Sequence, residues 1–171
     1  MRQRLNEQRL RAFMRSLARE ANEQGRVYLA GGASAVLLGW RDSTLDVDLK
    51  IIPEHDRVLR AIRALKESLD INVELASPDD FIPALPGWQD RSLFIVMEGK
   101  LSFHHYDFYA QALAKIERDH ALDRGDVLHM IDAGLVERSR LVQLFEAIEP
   151  QLYRFPAINA ARFAERVRKL Q

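Results

Sequence analysis

The chain of 171 residues contains no cysteine. That absence excludes disulfide frameworks, zinc–thiolate sites and cysteine nucleophiles. It fits a reducing cytoplasm, which is the expected compartment. No apolar run approaches the roughly 20 residues of a membrane span, so no membrane partner is expected. The first segment, MRQRLNEQRLRAF, has no apolar stretch of the secretory type. Neither sign of charge is in excess: 25 basic and 25 acidic residues leave a net charge of zero. A generic nucleic-acid coat is a poor reading of that balance. Gly-x-x-x-x-Gly-Lys-Ser/Thr and Gly-x-Ser-x-Gly are both missing, which excludes a P-loop and a nucleophile elbow. No pair of histidines stands at metal-ligand spacing. His104 and His105 are adjacent on an expected strand and must face opposite ways, so a zinc hydrolase is disfavoured. His120 and His129 read as surface or helix-packing residues.

What is present suits one globular unit. Apolar residues make up 47% and charged residues 29%, enough core to offset the entropy of ordering. The charge is uneven. Residues 1–26 carry seven Arg and three Glu, and residues 154–171 carry five basic residues and one Glu, so each segment is +4 and the middle is −8. An acidic centre between basic ends hints at a cation-using site with phosphate-attracting flanks; solvated helix faces would look the same.

Periodicity predicts the elements. A helix is expected over 3–24, with Leu10, Phe13, Met14, Leu17 and Ala18 on one stripe and Gly25 as its stop. Strands are expected at 26–30, 45–52 and 71–75. Short and longer helices are expected at 33–38 and about 58–69. Ser77-Pro78-Asp79-Asp80 reads as a helix start and Pro83–Trp88 as a loop. Residues 93–97 and 101–106 read as a hairpin through Glu98-Gly99-Lys100. Helices follow at about 108–119, 123–133, 138–148 and 157–170. The expected fold is α+β (α/β-like): a mixed sheet with helices on one side, followed by a C-terminal helical segment. Residues 1–107 would form the core and 108–171 would pack on it as one unit.

The stretch Leu29–Ile51, LAGGASAVLLGWRDSTLDVDLKI, carries the chemistry. Asp46 and Asp48 stand two apart on an alternating strand, so both carboxylates leave the same face, opposite Leu45, Val47 and Leu49. Such a pair repels itself unless a cation sits between, and all-oxygen ligands select Mg²⁺ or Mn²⁺. An Asp-x-Asp strand is common by itself. Upstream, however, Gly31-Gly32 joins a strand to a helix, where bare backbone can approach a phosphate. A phosphate cradle beside a metal-binding carboxylate pair is equipment for phosphoryl or nucleotidyl transfer. Arg41, Asp42, Ser43 and Thr44 lie just ahead of the pair. Arg41 and Thr44 could position a triphosphate, or serve as turn chemistry.

This arrangement resembles the nucleotidyltransferase superfamily related to DNA polymerase β. Its pattern is a Gly-Gly/Ser, 9 to 13 residues, then Asp–apolar–Asp/Glu–apolar. Here 13 residues separate Gly31-Gly32 from Asp46-Val47-Asp48-Leu49. GWRDSTLDVDL, ELASPDDFIPALPGW and AKIERDHALDRGDVLHM are similar to the small bacterial nucleotidyltransferase-like domains akin to AbiEii-type toxins of toxin–antitoxin pairs. The resemblance covers about residues 10–150. It implies transfer of a nucleoside monophosphate from an NTP to a hydroxyl on RNA (such as a tRNA end), a protein or a small molecule, with a possible antitoxin partner. Asp46 and Asp48 would hold metal and nucleotide phosphates, and Gly31, Gly32 and Ser34 would line the phosphate loop. Lys115 and Asp126 match a later Lys and Asp used in nucleotide handling, although Asp126 could equally cap a helix or face solvent. Arg118, one turn beyond Lys115, would be a second phosphate contact. Many members carry a third carboxylate as base; Glu74 is the candidate, with Asp107 behind it. Trp88 could stack a base or anchor its loop. A catalytically silent module that binds a nucleotide or a partner is the alternative.

Overall fold

A computed structural model describes residues 2–170. Met1 and Gln171, the outer ends of the two expected segments, lie outside the described residues. The chain is α+β, with a five-stranded mixed sheet in the order β3-β2-β1-β5-β4. It divides into two units.

The first unit comprises Met1–Ser77 and Leu93–His105. It holds α1 (Glu7–Glu20), β1 (Gly25–Ala30), α2 (Gly32–Leu37), β2 (Asp46–Ile52), α3 (Asp56–Ser68), β3 (Asn72–Glu74), β4 (Phe94–Glu98) and β5 (Leu101–His105). β1 runs antiparallel to β2 and parallel to β5. β2 pairs with β3 in parallel, and β4 with β5 antiparallel. The core lies on one face. Leu10, Phe13, Met14 and Leu17 of α1 pack with Ala33 and Val36 of α2, Val58 and Ile62 of α3, and the inward residues of the strands. Each such large side chain contributes about 1.5–3 kcal/mol.

Three expectations shift here. The helix expected from residue 3 begins only at Glu7, capped by Asn6, whose side chain accepts from the Arg9 N–H at 3.0 Å. The preceding Leu5 is claimed by a bridge to Thr44, with N–H···O distances of 2.8 and 2.9 Å. Gly25 is not the helix stop but the first residue of β1; α1 ends earlier because Ala21 turns extended. Leu45, expected on the core face, is 51% exposed, because regular pairing of β2 starts one residue later, at Asp46.

The second unit comprises Pro78–Ser92 and Tyr106–Gln171. The segment 78–92 thus groups with the C-terminal helices rather than with the rest of 1–107. The helix start at Ser77-Pro78 yields only one 3-10 turn, Pro78–Asp80. Ile82 precedes Pro83, and a residue before proline is pushed out of the α region. The expected loop to Trp88 runs into a single turn, α4 (Trp88–Arg91). Then come α5 (Phe108–Arg118), α6 (Ala121–Asp132), α7 (Arg138–Ile148), a 3-10 segment (Glu149–Arg154) and α8 (Ala160–Arg168). Buried Leu113, Leu141, Phe145, Phe163 and Val167 fill this unit, with Phe145 and Phe163 edge to face at 4.8 Å. Among the described residues no helix is long and apolar enough to cross a membrane.

Candidate active site

The alternation of DVDLKI governs the site. Val47, Leu49 and Ile51 are buried, while Asp46, Asp48 and Lys50 stand half-buried on the opposite face. The parallel register sets Asp46 beside Asn72 and Asp48 beside Glu74. Paired residues of neighbouring strands point to the same side, so Asp46, Asp48 and Glu74 share one sheet face. The Asn72 side-chain NH₂ donates to Asp46 Oδ1 at 2.7 Å and to Glu74 Oε1 at 2.9 Å. Glu74 is exposed.

The glycine pair is pressed against this carboxylate row. Gly31 has φ +59°, and a Cβ there would sit 2.9 Å from Asp48 Oδ2. Only glycine takes that backbone without strain and permits that approach. A Cβ on Gly32 would collide with the Thr44 side chain and come within 3.6 Å of Arg41 Nη1. The structure therefore brings Gly31, Gly32, Arg41, Thr44 and Asp48 together. Thr44 itself is buried and donates its hydroxyl to the Asp46 carbonyl at 3.0 Å, which is a turn-fixing bond. Arg41 lines a shallow cavity of about 490 Å³ with Arg11, Val36, Gly39 and Asp42.

Ser34 takes a different place from the one expected. Its side chain is fully buried, donating to the Leu29 carbonyl at 3.2 Å and lying 2.9 Å from His105 Nδ1. It braces the chain before the glycines instead of lining an open loop. His105 is buried with it, and burial, with lesser contributions from Arg11 and His104, lowers its pKa to about 4. The imidazole is therefore neutral at pH 7 and its Nδ1–H donates to the serine, which is already donating elsewhere. His104 faces the other way, against Tyr28 and Phe94.

Lys115, Arg118 and Asp126 form a separate constellation within the second unit. Lys115 Nζ lies 2.7 Å from Asp126 Oδ2 and 3.5 Å from Asp123 Oδ1. Arg118 clasps Asp123 with two bonds of 2.8 and 2.7 Å. Lys115, Asp123 and Asp126 are all at most 8% exposed. Burial pushes the Asp123 carboxyl up, but Arg118 and Lys115 outweigh it and hold the group below its usual range. The cations assigned to phosphates are thus engaged by carboxylates, and Asp126 is neither a cap nor solvent-facing. Sequence reasoning missed Asp123. Its signal was there: 115 with 126 and 118 with 123 share one midpoint, between 120 and 121 at the start of α6, the pattern of opposite charges across a helical hairpin.

Asp107, the second choice as base, is occupied too. It caps α5 through the Tyr109 N–H and accepts both Nε and Nη2 of Arg91, at 3.1 and 2.7 Å. Burial raises its pKa despite that partner. Trp88 stacks flat on Tyr106, with centroids 4.2 Å apart and planes 5° from parallel, which anchors its loop.

Among the described residues no group of three or more His, Asp or Glu side chains is arranged to hold a metal ion. Mg²⁺ does not need such a cage; it is commonly held by one or two carboxylates, with waters and substrate phosphates completing the shell. The all-oxygen donors of Asp46 and Asp48, beside a glycine backbone with no room for a side chain, fit that mode. No family model, curated protein or solved structure matches the chain.

Proposed function

We propose that the chain is a metal-dependent nucleotidyltransferase, built on the fold that its Gly31–Leu49 pattern resembles. The observation that carries this reading is the packing of the Asp48 carboxylate against Gly31, on the face it shares with Asp46 and Glu74. Phosphate-approaching backbone and metal-binding oxygen then lie at one place. Mg²⁺ or Mn²⁺ held by Asp46 and Asp48 would neutralise triphosphate charge and acidify the acceptor hydroxyl. In the reaction, the acceptor oxygen bonds to the α-phosphorus of an NTP. The bond from that phosphorus to the bridging oxygen breaks, and pyrophosphate leaves with the electron pair. Glu74 takes the acceptor proton. The Gly31 and Gly32 backbone, with Arg41, orients the phosphates. RNA, a protein hydroxyl or a small molecule can serve as acceptor; the basic segments 1–26 and 154–171 favour RNA. A toxin restrained by an antitoxin is a biological setting for this activity.

A second reading has its own observation. Lys115 and Arg118, the cations meant for the leaving phosphates, are held by Asp123 and Asp126. This favours a silent module that binds a nucleotide or a partner without turnover. Incubation with each of four α-³²P NTPs, Mg²⁺ or Mn²⁺ and a cell extract decides between them, with Asp46→Ala/Asp48→Ala as control. Label that moves to a macromolecule, and is lost in the control, supports transfer. Metal-dependent NTP binding without transfer supports the silent module.

A further inference from the structure

Resting on that reading of the carboxylates, we propose that Arg2 and Asn72 are positioning residues, a two-step relay that presets Asp46 and Glu74 for a divalent cation. Arg2 Nη1 lies 3.3 Å from Asn72 Oδ1 and also donates to the Ile71 carbonyl, while Arg2 Nη2 reaches Glu67 Oε1 at 3.3 Å. A guanidinium has only donors. It therefore fixes which end of the Asn72 amide faces it: the oxygen. The NH₂ end is turned to the other side, where it meets Asp46 Oδ1 at 2.7 Å and Glu74 Oε1 at 2.9 Å.

Three properties follow from this order of groups. Asp46 and Glu74, two carboxylates on neighbouring strands, are held by one neutral donor, so among the described residues neither is neutralised by a fixed cation. One oxygen of each is anchored, leaving the other oxygen of each carboxylate for a ligand. The positive charge of Arg2 sits behind the amide, where it polarises the NH₂ toward the acids without forming an ion pair with Asp46. The N-terminal segment is tied in independently of Arg2: Gln3 N–H donates to the Asp70 carbonyl at 3.0 Å and Leu5 bridges to Thr44. Removing the guanidinium therefore leaves the segment attached and frees the amide, together with the Ile71 carbonyl and Glu67, neither of which touches Asp46.

Partners that orient metal ligands from behind typically cost 10–100-fold in metal affinity when removed. The test measures Mn²⁺ binding to the full chain by the electron paramagnetic resonance signal of free Mn²⁺, with no nucleotide and no turnover. Asn72→Ala should weaken Mn²⁺ binding about 10-fold or more, and Arg2→Ala by less. The double variant should be no weaker than Asn72→Ala alone, because Arg2 acts only through the amide. Arg2→Lys, which keeps the charge but loses the planar fork, should behave like Arg2→Ala. Thermal melts of all four confirm that each is folded. Unchanged Mn²⁺ affinity in Asn72→Ala, with binding abolished in Asp46→Asn/Asp48→Asn, overturns the relay and leaves the carboxylate reading standing. Additive losses from Arg2 and Asn72 also overturn it. A wild-type chain that binds Mn²⁺ no better than Asp46→Asn/Asp48→Asn overturns the carboxylate reading, and the relay with it.

Discussion

On the sheet, Asp46 and Glu74 share one uncharged amide; in the helical unit, Asp123 and Asp126 each lie within 2.8 Å of a cation. Asp46 with Asp48, and Asp123 with Asp126, come from stretches that look alike in sequence, acids at short spacing near basic residues; Glu74 joins the first pair from the neighbouring strand. The difference lies in what the fold delivers to them. Between α5 and α6, opposite charges meet across a helical hairpin and close on themselves. On β2 and β3, the strand register sets acid beside acid. A closed ionic knot is a poor place for a ligand because binding must first break buried pairs. Acids gathered around a neutral donor gain from any dication that arrives. The same comparison sorts the expected site residues: Gly31, Gly32, Arg41, Asp46, Asp48 and Glu74 belong to the sheet grouping, and Lys115, Arg118 and Asp126 to the knot.

The largest effect should come from neutralising the sheet acids. Asp46→Asn/Asp48→Asn is expected to lower nucleotidyl transfer by about 10⁴-fold or more, roughly 5.5 kcal/mol of barrier. The melting temperature should stay level or rise, since like-charge repulsion is relieved. A transfer assay and a thermal melt on the same preparation check both halves. If transfer persists, the comparison breaks on its functional side.

The knot should respond in the opposite sense. Lys115→Met leaves Asp126 buried without its ammonium, and breaking a buried pair from one side costs about 3–5 kcal/mol. Urea unfolding measures this loss. Replacing Lys115, Asp123 and Asp126 together with apolar residues of similar size should recover much of it, because the desolvation cost goes with the charges. A triple variant as unstable as Lys115→Met would show that the pairs themselves, not their mismatch, hold α5 to α6.

Much of this is legible in the order of residues alone. DVDLKI alternates with period two, so its wet face and its core face can be assigned from side-chain type. Glu74 can be placed on the polar side of its strand by the same argument. The positive φ at Gly31 is a conformation that glycine alone adopts freely, so the glycine pair carries its own signal. The rest depends on partners distant in sequence. Leu5 continues the apolar pattern of α1, yet Thr44, 39 residues away, takes it into a bridge. Arg2 reaches Asn72 across 70 residues, and nothing local in either segment announces it. Ser34 reads as a loop hydroxyl until His105 arrives from β5. Lys115 and Arg118 have the spacing of a phosphate clamp on one helix, and only the return of α6 shows them already engaged. Local periodicity thus finds the elements and the carboxylate face, while tertiary pairing decides which charges are closed.

Acid offers the smallest and finest separation of the two regions. His105 sits beneath the glycine loop with its pKa lowered from the usual 6.5 to about 4, by burial first and by Arg11 and His104 second. Between those two values the unfolded chain binds a proton at this histidine and the folded chain does not. The unfolded state thus gains protons as pH falls, and stability must drop across that window. From pH 7 to pH 5 the loss is about 2 kcal/mol, at 1.36 kcal/mol per pH unit below 6.5. The knot obeys the same sign in a lower window. Asp123 has a lowered carboxyl pKa, so its contribution is intact above the ordinary carboxylate range and fades only as pH falls through its folded value. Moderate acid should therefore loosen the packing around His105 first, while Asp123 keeps its pairs with Arg118 and Lys115. His105→Asn retains a donor toward Ser34 and has no site to protonate. It should cost about 1–2 kcal/mol at pH 7, through the smaller side chain in a buried space, and flatten the decline between pH 7 and pH 5. Urea unfolding of both proteins at the two pH values measures the difference of differences. Parallel declines in the wild-type chain and His105→Asn would move the acid sensitivity away from the histidine under the loop and onto other groups.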